Sequence, residues 1–301
     1  MKNNHRLQAW FIFIFLGLVW GSSFILIKKS LLAFTPTQVA LARVFLTSVA
    51  FTPVVAYKLR SIQYRDLLSF SIVALAGNAL PAFLYALAET HIESAVAGLL
   101  NTLTPIFTLL IGLWFFKHRS VPITQKIGVL IGFLGAAMII LYTTSKEIHL
   151  SLWSLLIVLA TALYGLSGNV VETQLKGRYS PISIAGIPFV FMLLPSAWAL
   201  WKTGILSTLT THSDANVSIW ALLTLSIIGT FLASTLFFKM LEISDAVFAS
   251  SVSYLLPVVA IFWGVLDHEH LSVWHFLALF FIISGVYLIK RGSAGMHDFK
   301  E

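Results

Sequence analysis

Apolar residues run through this chain in stretches of about 20, the length a helix needs to cross a hydrocarbon core of roughly 30 Å. Such windows predict ten helices, over 9–27, 36–57, 67–86, 94–115, 126–142, 152–171, 182–201, 218–238, 246–266 and 273–289. The connectors are short, the longest being 202–217. Polar positions inside the windows are few and periodic. Asn78, Pro81 and Tyr85 fall at i, i+3 and i+7 of the third window, and Asn101, Thr104 and Thr108 repeat that spacing in the fourth, so each set makes one stripe down a helix. Thr230 and Ser234 on the eighth window, with Ser250, Ser253, Tyr254 and Pro257 on the ninth, make the matching pair. Any one of these groups suits a helix–helix hydrogen bond; their convergence on two helix pairs favours a cavity.

The chain also repeats itself. A shift of 152 residues superposes Gly77 on Gly229, Leu80 on Leu232, Leu84 on Leu236, Leu103 on Leu255, Pro105 on Pro257 and Gly112 on Gly264 without a gap. Nearer the start of each half, Phe34-Thr35-Pro36 resembles Tyr179-Ser180-Pro181, and Pro53 has its counterpart in Pro195. The halves, 1–145 and 146–301, then hold five helices each and together form one membrane domain. An odd number of spans forces the halves into opposite orientations, related by a pseudo-two-fold axis in the membrane plane. The expected fold is an all-α integral membrane protein of two inverted five-helix repeats.

Composition agrees: 58% of residues are hydrophobic, 10% are charged and the mean hydropathy is +0.91. The net charge of +7 does not indicate nucleic acid, because the basic residues sit in short connectors beside apolar windows. Of the 19 Lys and Arg, 14 fall on one set of alternate connectors and termini and four on the other, Lys28, Lys29, Lys146 and Lys202, with Arg43 between them. The positive-inside rule therefore puts both termini in the cytoplasm of a multi-pass plasma-membrane protein. The first window follows Lys2 and Arg6 as a signal peptide would, but it runs on to Ile27 without a small-residue cleavage site, so it is expected to stay as a helix.

Enzyme chemistry finds little support. There are no cysteines and no GxxxxGK[ST] phosphate loop, and Gly165-Leu166-Ser167-Gly168 is not a nucleophile elbow. Asp267-His268-Glu269-His270 offers metal-type ligands, but no second ligand group accompanies it and a solvated turn is expected there. No metal and no cofactor is predicted. Partners are a small-molecule substrate and membrane lipid; monomer and homodimer stay open.

Arg43 is the charge inside the second window, about 10 Å along its helix from Pro36. Three roles suit it: binding a carboxylate or phosphate, capping carbonyls as a strut, or snorkelling to the interface. Pro105 and Pro257, midway along the fourth and ninth windows, free carbonyls near Asn101 and Ser253 and give a place to bend; prolines are also common in membrane helices. Gly128, Gly132 and Gly135 are expected to serve close helix packing. None of the twelve Asp and Glu lies deep in a window, so no buried carboxylate relay is expected. Facilitated diffusion or exchange is favoured, with His275, His91 and Glu172 left as proton-carrying alternatives. Trp20, Tyr85, Tyr164 and Tyr254 suit stacking on a planar or cationic solute, or anchoring at the interface.

Taken in order, Trp20-Gly21-Ser22-Ser23-Phe24, Pro36 followed by Arg43, Pro105, Pro257, Glu269 and Gly285 resemble the ten-helix EamA-type exporters of the drug/metabolite transporter superfamily over nearly the whole chain. The first half departs from that pattern, with Lys117 where the second has Glu269. The resemblance implies a transporter of small organic molecules. With the polar stripes it predicts alternating access around a cavity lined by Trp20, Ser23, Arg43, Asn78, Tyr85, Asn101, Tyr164, Ser253 and Tyr254, with Pro105 and Pro257 as hinges. A membrane receptor or scaffold without flux is the alternative.

Overall fold

The computed structural model describes residues 2–116, 122–142, 152–243 and 251–297, with the side chains of all but 2–6, 139–142, 241–242, 251, 254 and 289–297. Lys117, Ser250 and the side chain of Tyr254 lie outside the described residues. Among the described residues the protein is all helix. Seven helices are long and apolar enough to cross a membrane: α1 (Leu7–Ser30), α2 (Pro36–Ser61), α3 (Tyr64–Ala88), α4 (Ser94–Phe115), α6 (Leu152–Leu175), α7 (Pro181–Lys202) and α8 (Ala215–Met240). Three further apolar helices, α5 (Ile123–Tyr142), α9 (Leu256–Leu266) and α10 (Val273–His297), fall in the other three predicted windows.

Only 39–50% of each long helix's apolar window is buried inside the bundle, so its remaining apolar side chains face outward. Phe11, Trp114 and Leu194 are among those that do, and Leu130 of α5 and Phe280 of α10 are exposed in the same way. An exterior of that kind needs lipid as its solvent.

Local sequence sets the helix ends. Thr35 and Gln38 form a reciprocal capping box, with Thr35 Oγ1 accepting from the Gln38 amide at 3.3 Å and Gln38 Oε1 from the Thr35 amide at 3.0 Å. Pro36 then opens α2, where its missing N–H costs nothing. The same proline logic breaks α4 and opens the helix of α9. α4 stops at Asn101 and resumes at Thr104, with Pro105 in the new first turn. In α9 a 3-10 turn over Ser251–Tyr254 precedes Leu256–Leu266, whose first turn holds Pro257.

Packing follows a regular scheme. α5 lies along α10 and α2 along α7, α6 sits against α3 and α4, α1 against α8 and α9, and α4 crosses α9. Small residues permit the tightest of these contacts. A Cβ on Gly285 would stand 2.5 Å from the carbonyl oxygen of Gly128 and 2.6 Å from the nitrogen of Gly132; one on Gly135 would stand 2.7 Å from the Ala278 carbonyl oxygen. The backbones of α5 and α10 therefore touch, which is the packing expected for Gly128, Gly132 and Gly135.

α3 and α8 share an irregularity. Each contains a π-helical turn, Leu75–Ala79 and Ile227–Leu232, whose starts are separated by the 152-residue repeat interval. A third, Val171–Leu175, ends α6.

Gly285→Leu is expected to force α5 and α10 apart and to lower both folded yield and melting temperature by several degrees. Gly168→Ala, which meets nothing within 4 Å, should leave both unchanged. Thermal unfolding of the purified variants measures the contrast.

Candidate functional site

The π-turns explain why polar side chains gather at mid-bundle. A π-turn breaks the i→i−4 ladder and leaves carbonyls to be satisfied otherwise. Asn78 Nδ2 donates to the Val73 carbonyl at 2.9 Å, and Thr230 Oγ1 donates to the Leu225 carbonyl at 3.0 Å, the same bond at the same interval. Trp20 Nε1 takes the Gly229 carbonyl at 3.1 Å. Gly77 and Gly229 let α6 and α1 approach, since a Cβ there would meet Ser167 Oγ at 2.4 Å and Ser23 Oγ at 3.4 Å.

Arg43 reaches this region from α2 and donates from Nε to Thr230 Oγ1 at 3.1 Å. Its side chain lines a cavity of about 20 Å³ with Val44, Gly77, Asn78, Ala82, Tyr164, Phe189 and Thr230, room for roughly one water. Among the described residues no carboxylate lies within ion-pair distance of it. Arg43 thus points inward rather than snorkelling. Beside the cavity Tyr85 stacks on Tyr164, centroids 6.3 Å apart, and donates to Asn101 Oδ1 at 2.6 Å.

Of the nine predicted lining residues, Arg43, Asn78 and Tyr164 meet at the cavity, Tyr85 and Asn101 adjoin it, and Trp20 and Ser23 flank the α8 turn. Ser23 spends its hydroxyl on its own helix, at Val19. Trp20 packs on Phe237, apart from Tyr85 and Tyr164. Ser253 is half-buried on the 3-10 turn before α9 and does not line this cavity. Thr104 and Thr108 turn back onto α4 carbonyls. Thr230, which sequence spacing places merely on a stripe, is the direct partner of Arg43.

Both ends of the bundle are tied by charge. At the end carrying the α1–α2, α3–α4 and α9–α10 connectors, Lys28 Nζ meets Glu269 Oε1 at 2.7 Å, Asp267 Oδ2 at 2.8 Å and Glu93 Oε2 at 3.4 Å, and Lys29 pairs with Asp267. Glu269 also accepts from the amides of Ser94 and Ala95, both at 3.0 Å, and from Ser94 Oγ at 2.7 Å, so it caps α4. Burial alone would push Glu269 up, but the bonds from Lys28, Ser94 and Ala95 outweigh it and hold its carboxyl below the usual range. Asp267 is held low likewise, Lys28 and Lys29 outweighing its burial. Of the segment expected as a solvated turn, His268 and His270 are exposed, but Glu269 is buried and Asp267 partly so, His268 adopting a left-handed φ of 56° where the chain reverses. At the opposite end, Arg178 grips Asp66 with Nη1 at 2.7 Å and Nη2 at 2.5 Å, and Tyr179 donates to the same carboxylate at 2.7 Å.

The titratable alternatives sit apart from one another. His91 is exposed and stacks on Trp153 at 3.7 Å. Glu172 forms an exposed ion pair with Lys176, while His275 is buried with Nε2 unpartnered. Glu89, whose place at a helix end makes it unremarkable in sequence, is also buried.

A model of the EamA-like transporter family matches residues 8–141 and again 151–291. The chain belongs to the EamA-like transporter family. An uncharacterized transporter of Archaeoglobus fulgidus is 23% identical over 286 residues, covering 95% of this chain and 99% of the relative. An uncharacterized inner membrane transporter of Escherichia coli K12 is 24% identical, over 92% of this chain and 89% of the relative. A probable amino-acid metabolite efflux pump of Salmonella typhimurium is 24% identical, over 92% and 93%. This EamA-like protein is therefore a multi-pass membrane transporter.

A group whose carboxyl is held low in the folded state contributes stability above its ordinary value and loses it as pH falls through the lowered one. The melting temperature lost in Glu269→Gln should therefore be constant from neutral pH down to about 4.5, the ordinary value, and should shrink only at more acid pH. Calorimetry of the two proteins across that range checks it.

Proposed function

We propose that this protein exports small organic solutes, amino acids or related metabolites foremost, across the plasma membrane by alternating access. It acts as a carrier without enzymatic turnover. The observation that carries the reading is a single arginine, unneutralised by any described carboxylate, beside a small mid-bundle cavity in a bundle whose two ends are tied by separate ion-paired clusters. A planar five-donor cation in a site screened from water binds a carboxylate strongly. The efflux name carried by the Salmonella relative points the same way.

The ten-helix inverted-repeat layout belongs to this reading. Its support is that the packing scheme maps onto itself when each helix of the first half is exchanged for the one five places later: α3 on α6 corresponds to α8 on α1, α4 on α6 to α9 on α1, and the pairs α2–α7, α4–α9 and α5–α10 to themselves. The matching π-turns add to it. With the termini cytoplasmic, the Lys28–Glu269 cluster closes the outer mouth and the Asp66–Arg178 cluster the inner one. Rocking about the breaks at Pro105 and Pro257 would open each in turn. Trp20, Ser23, Tyr85, Asn101, Ser253 and Tyr254 would complete the lining as the cavity widens. A receptor or scaffold has no use for two separately tied ends.

Untargeted metabolite profiling of medium from cells expressing the chain, its Arg43→Gln variant or an empty vector tests the proposal. A solute enriched outside only with the unmutated chain is expected. Losing one charge-assisted bond of about 1.5–3 kcal/mol should lower that flux by roughly 10- to 150-fold at equal membrane expression, with partial retention in Arg43→Lys. Equal export by Arg43→Gln would remove the arginine from the site, and enrichment of nothing would sink the carrier reading in favour of a protein without flux.

A further inference from the structure

Glu89 ends α3, one residue beyond its apolar segment. It is 6% exposed, and both of its carboxylate oxygens are buried with no hydrogen-bond partner. It lies one helical turn beyond Tyr85, so it stands between the Arg43 cavity and the Lys28 cluster. The charges acting on it come from three elements: Glu269 on the α9–α10 connector, Arg43 on α2 and Lys28 on α1. On α6, Tyr164 is stacked on Tyr85. On the connector after α3, Glu93 is paired with Lys28 and His91 is turned out onto Trp153. Among the described residues no donor bonds to Glu89. Lys28 is already shared by Glu93, Asp267 and Glu269, and Arg43 Nε is bonded to Thr230.

Four acids thus crowd two lysines at this end, and Glu89 is the one without a place. A bare carboxylate there is strongly disfavoured, and a buried acid in that position takes a proton instead. Burial first, and then the charge of Glu269, push its carboxyl well above the usual range, against the opposing pull of Arg43 and Lys28.

We propose that Glu89 is a proton-binding site whose occupancy holds the Lys28–Glu269 end of the bundle shut. The inference rests on the alternating-access reading for its use, and on the buried, unpartnered carboxyl for its chemistry. With the end shut, Glu89 is the neutral acid. When the cluster parts, water reaches the carboxyl, its O–H bond breaks, and the proton passes to solvent at that mouth. The carboxylate left behind is solvated and competes with Glu269 for Lys28, which keeps the end open. Reclosure requires the proton to return from the same water. By linkage, a proton bound more tightly in the shut state stabilises that state, and shutting in turn raises proton affinity. Proton concentration outside then biases the transport cycle, in place of the simple facilitated diffusion or exchange that the sequence favours.

Two measurements on the full chain in lipid test this. In an infrared pH titration, a protonated-carboxyl band that fades as the medium turns alkaline is expected for the unmutated protein, absent in Glu89→Gln and retained in Glu172→Gln. A band untouched by Glu89→Gln would overturn the proposal. In the second, the cysteine-free background allows Ala82→Cys, which lines the cavity, to be labelled from the Lys28 side by a membrane-impermeant thiol reagent. The rate is normalised to the exposed Ser213→Cys, so that the pH dependence of the thiol cancels. Normalised labelling should rise with pH by up to about tenfold per unit, the limit for one linked proton. It should be flat and low in Glu89→Gln and regain its slope in Glu89→Asp. An equal slope in Glu89→Gln, or none in the unmutated background, would overturn the gating role. Labelling that never reaches Ala82→Cys from either side would instead count against alternating access, while the infrared result still decides whether Glu89 holds the proton.

Discussion

In hydrocarbon no water is on hand for a stray amide, carbonyl or charge, and each polar group in this bundle must find its partner within the protein. That constraint ties the backbone irregularities to the candidate site. Two π-turns break the hydrogen-bond ladder at equivalent points, and the groups that repair them, Asn78, Thr230 and Trp20, are the ones that make the middle of the bundle polar. Arg43 then uses one of those repairs as its anchor. The site is less an addition to the fold than the place where the fold satisfies itself with side chains.

Charge is distributed differently at the ends. Glu269 accepts from a lysine, a hydroxyl and two helix amides, so one carboxylate fastens α1, α4 and the α9–α10 connector together. Asp66 does a related task at the opposite face with Arg178 and Tyr179, joining the α2–α3 and α6–α7 connectors. Removing one partner from such a cluster strands the others in a poorly solvated place, and the cost of that exceeds the net value of the pair. Clusters of this kind hold firmly when whole and release together.

The helices, the polar stripes and the tight α5–α10 seam were legible because apolar length, helical spacing and glycine positions are local properties. Arg43 was legible because a charge in an apolar window stands out on composition alone. Partnership was not. Lys28 and Lys29 looked like topology signals and Asp267 to Glu269 like a solvated turn, since nothing in one strand of sequence brings residues 28, 93 and 269 together. A signal did exist: four acids, Glu89, Glu93, Asp267 and Glu269, share the connectors of the side that carries only four of the 19 basic residues. Glu89 is hidden for a related reason. Its helix-end position suggests water, yet its side chain is buried. The π-turns have no spacing signature beyond the glycines beside them, and apolar windows do not register the 3-10 turn before Pro257.

The α5–α10 seam has a mechanical corollary. Where two helices meet through side chains, rotamer changes let one slide over the other; where they meet backbone to backbone at Gly128, Gly132 and Gly285, that lubricating layer is missing. In the alternating-access cycle proposed above this pair would serve as the stator, the fixed rib against which α4 and α9 would swing, and a loosened rib would leave the two mouths free to leak at once.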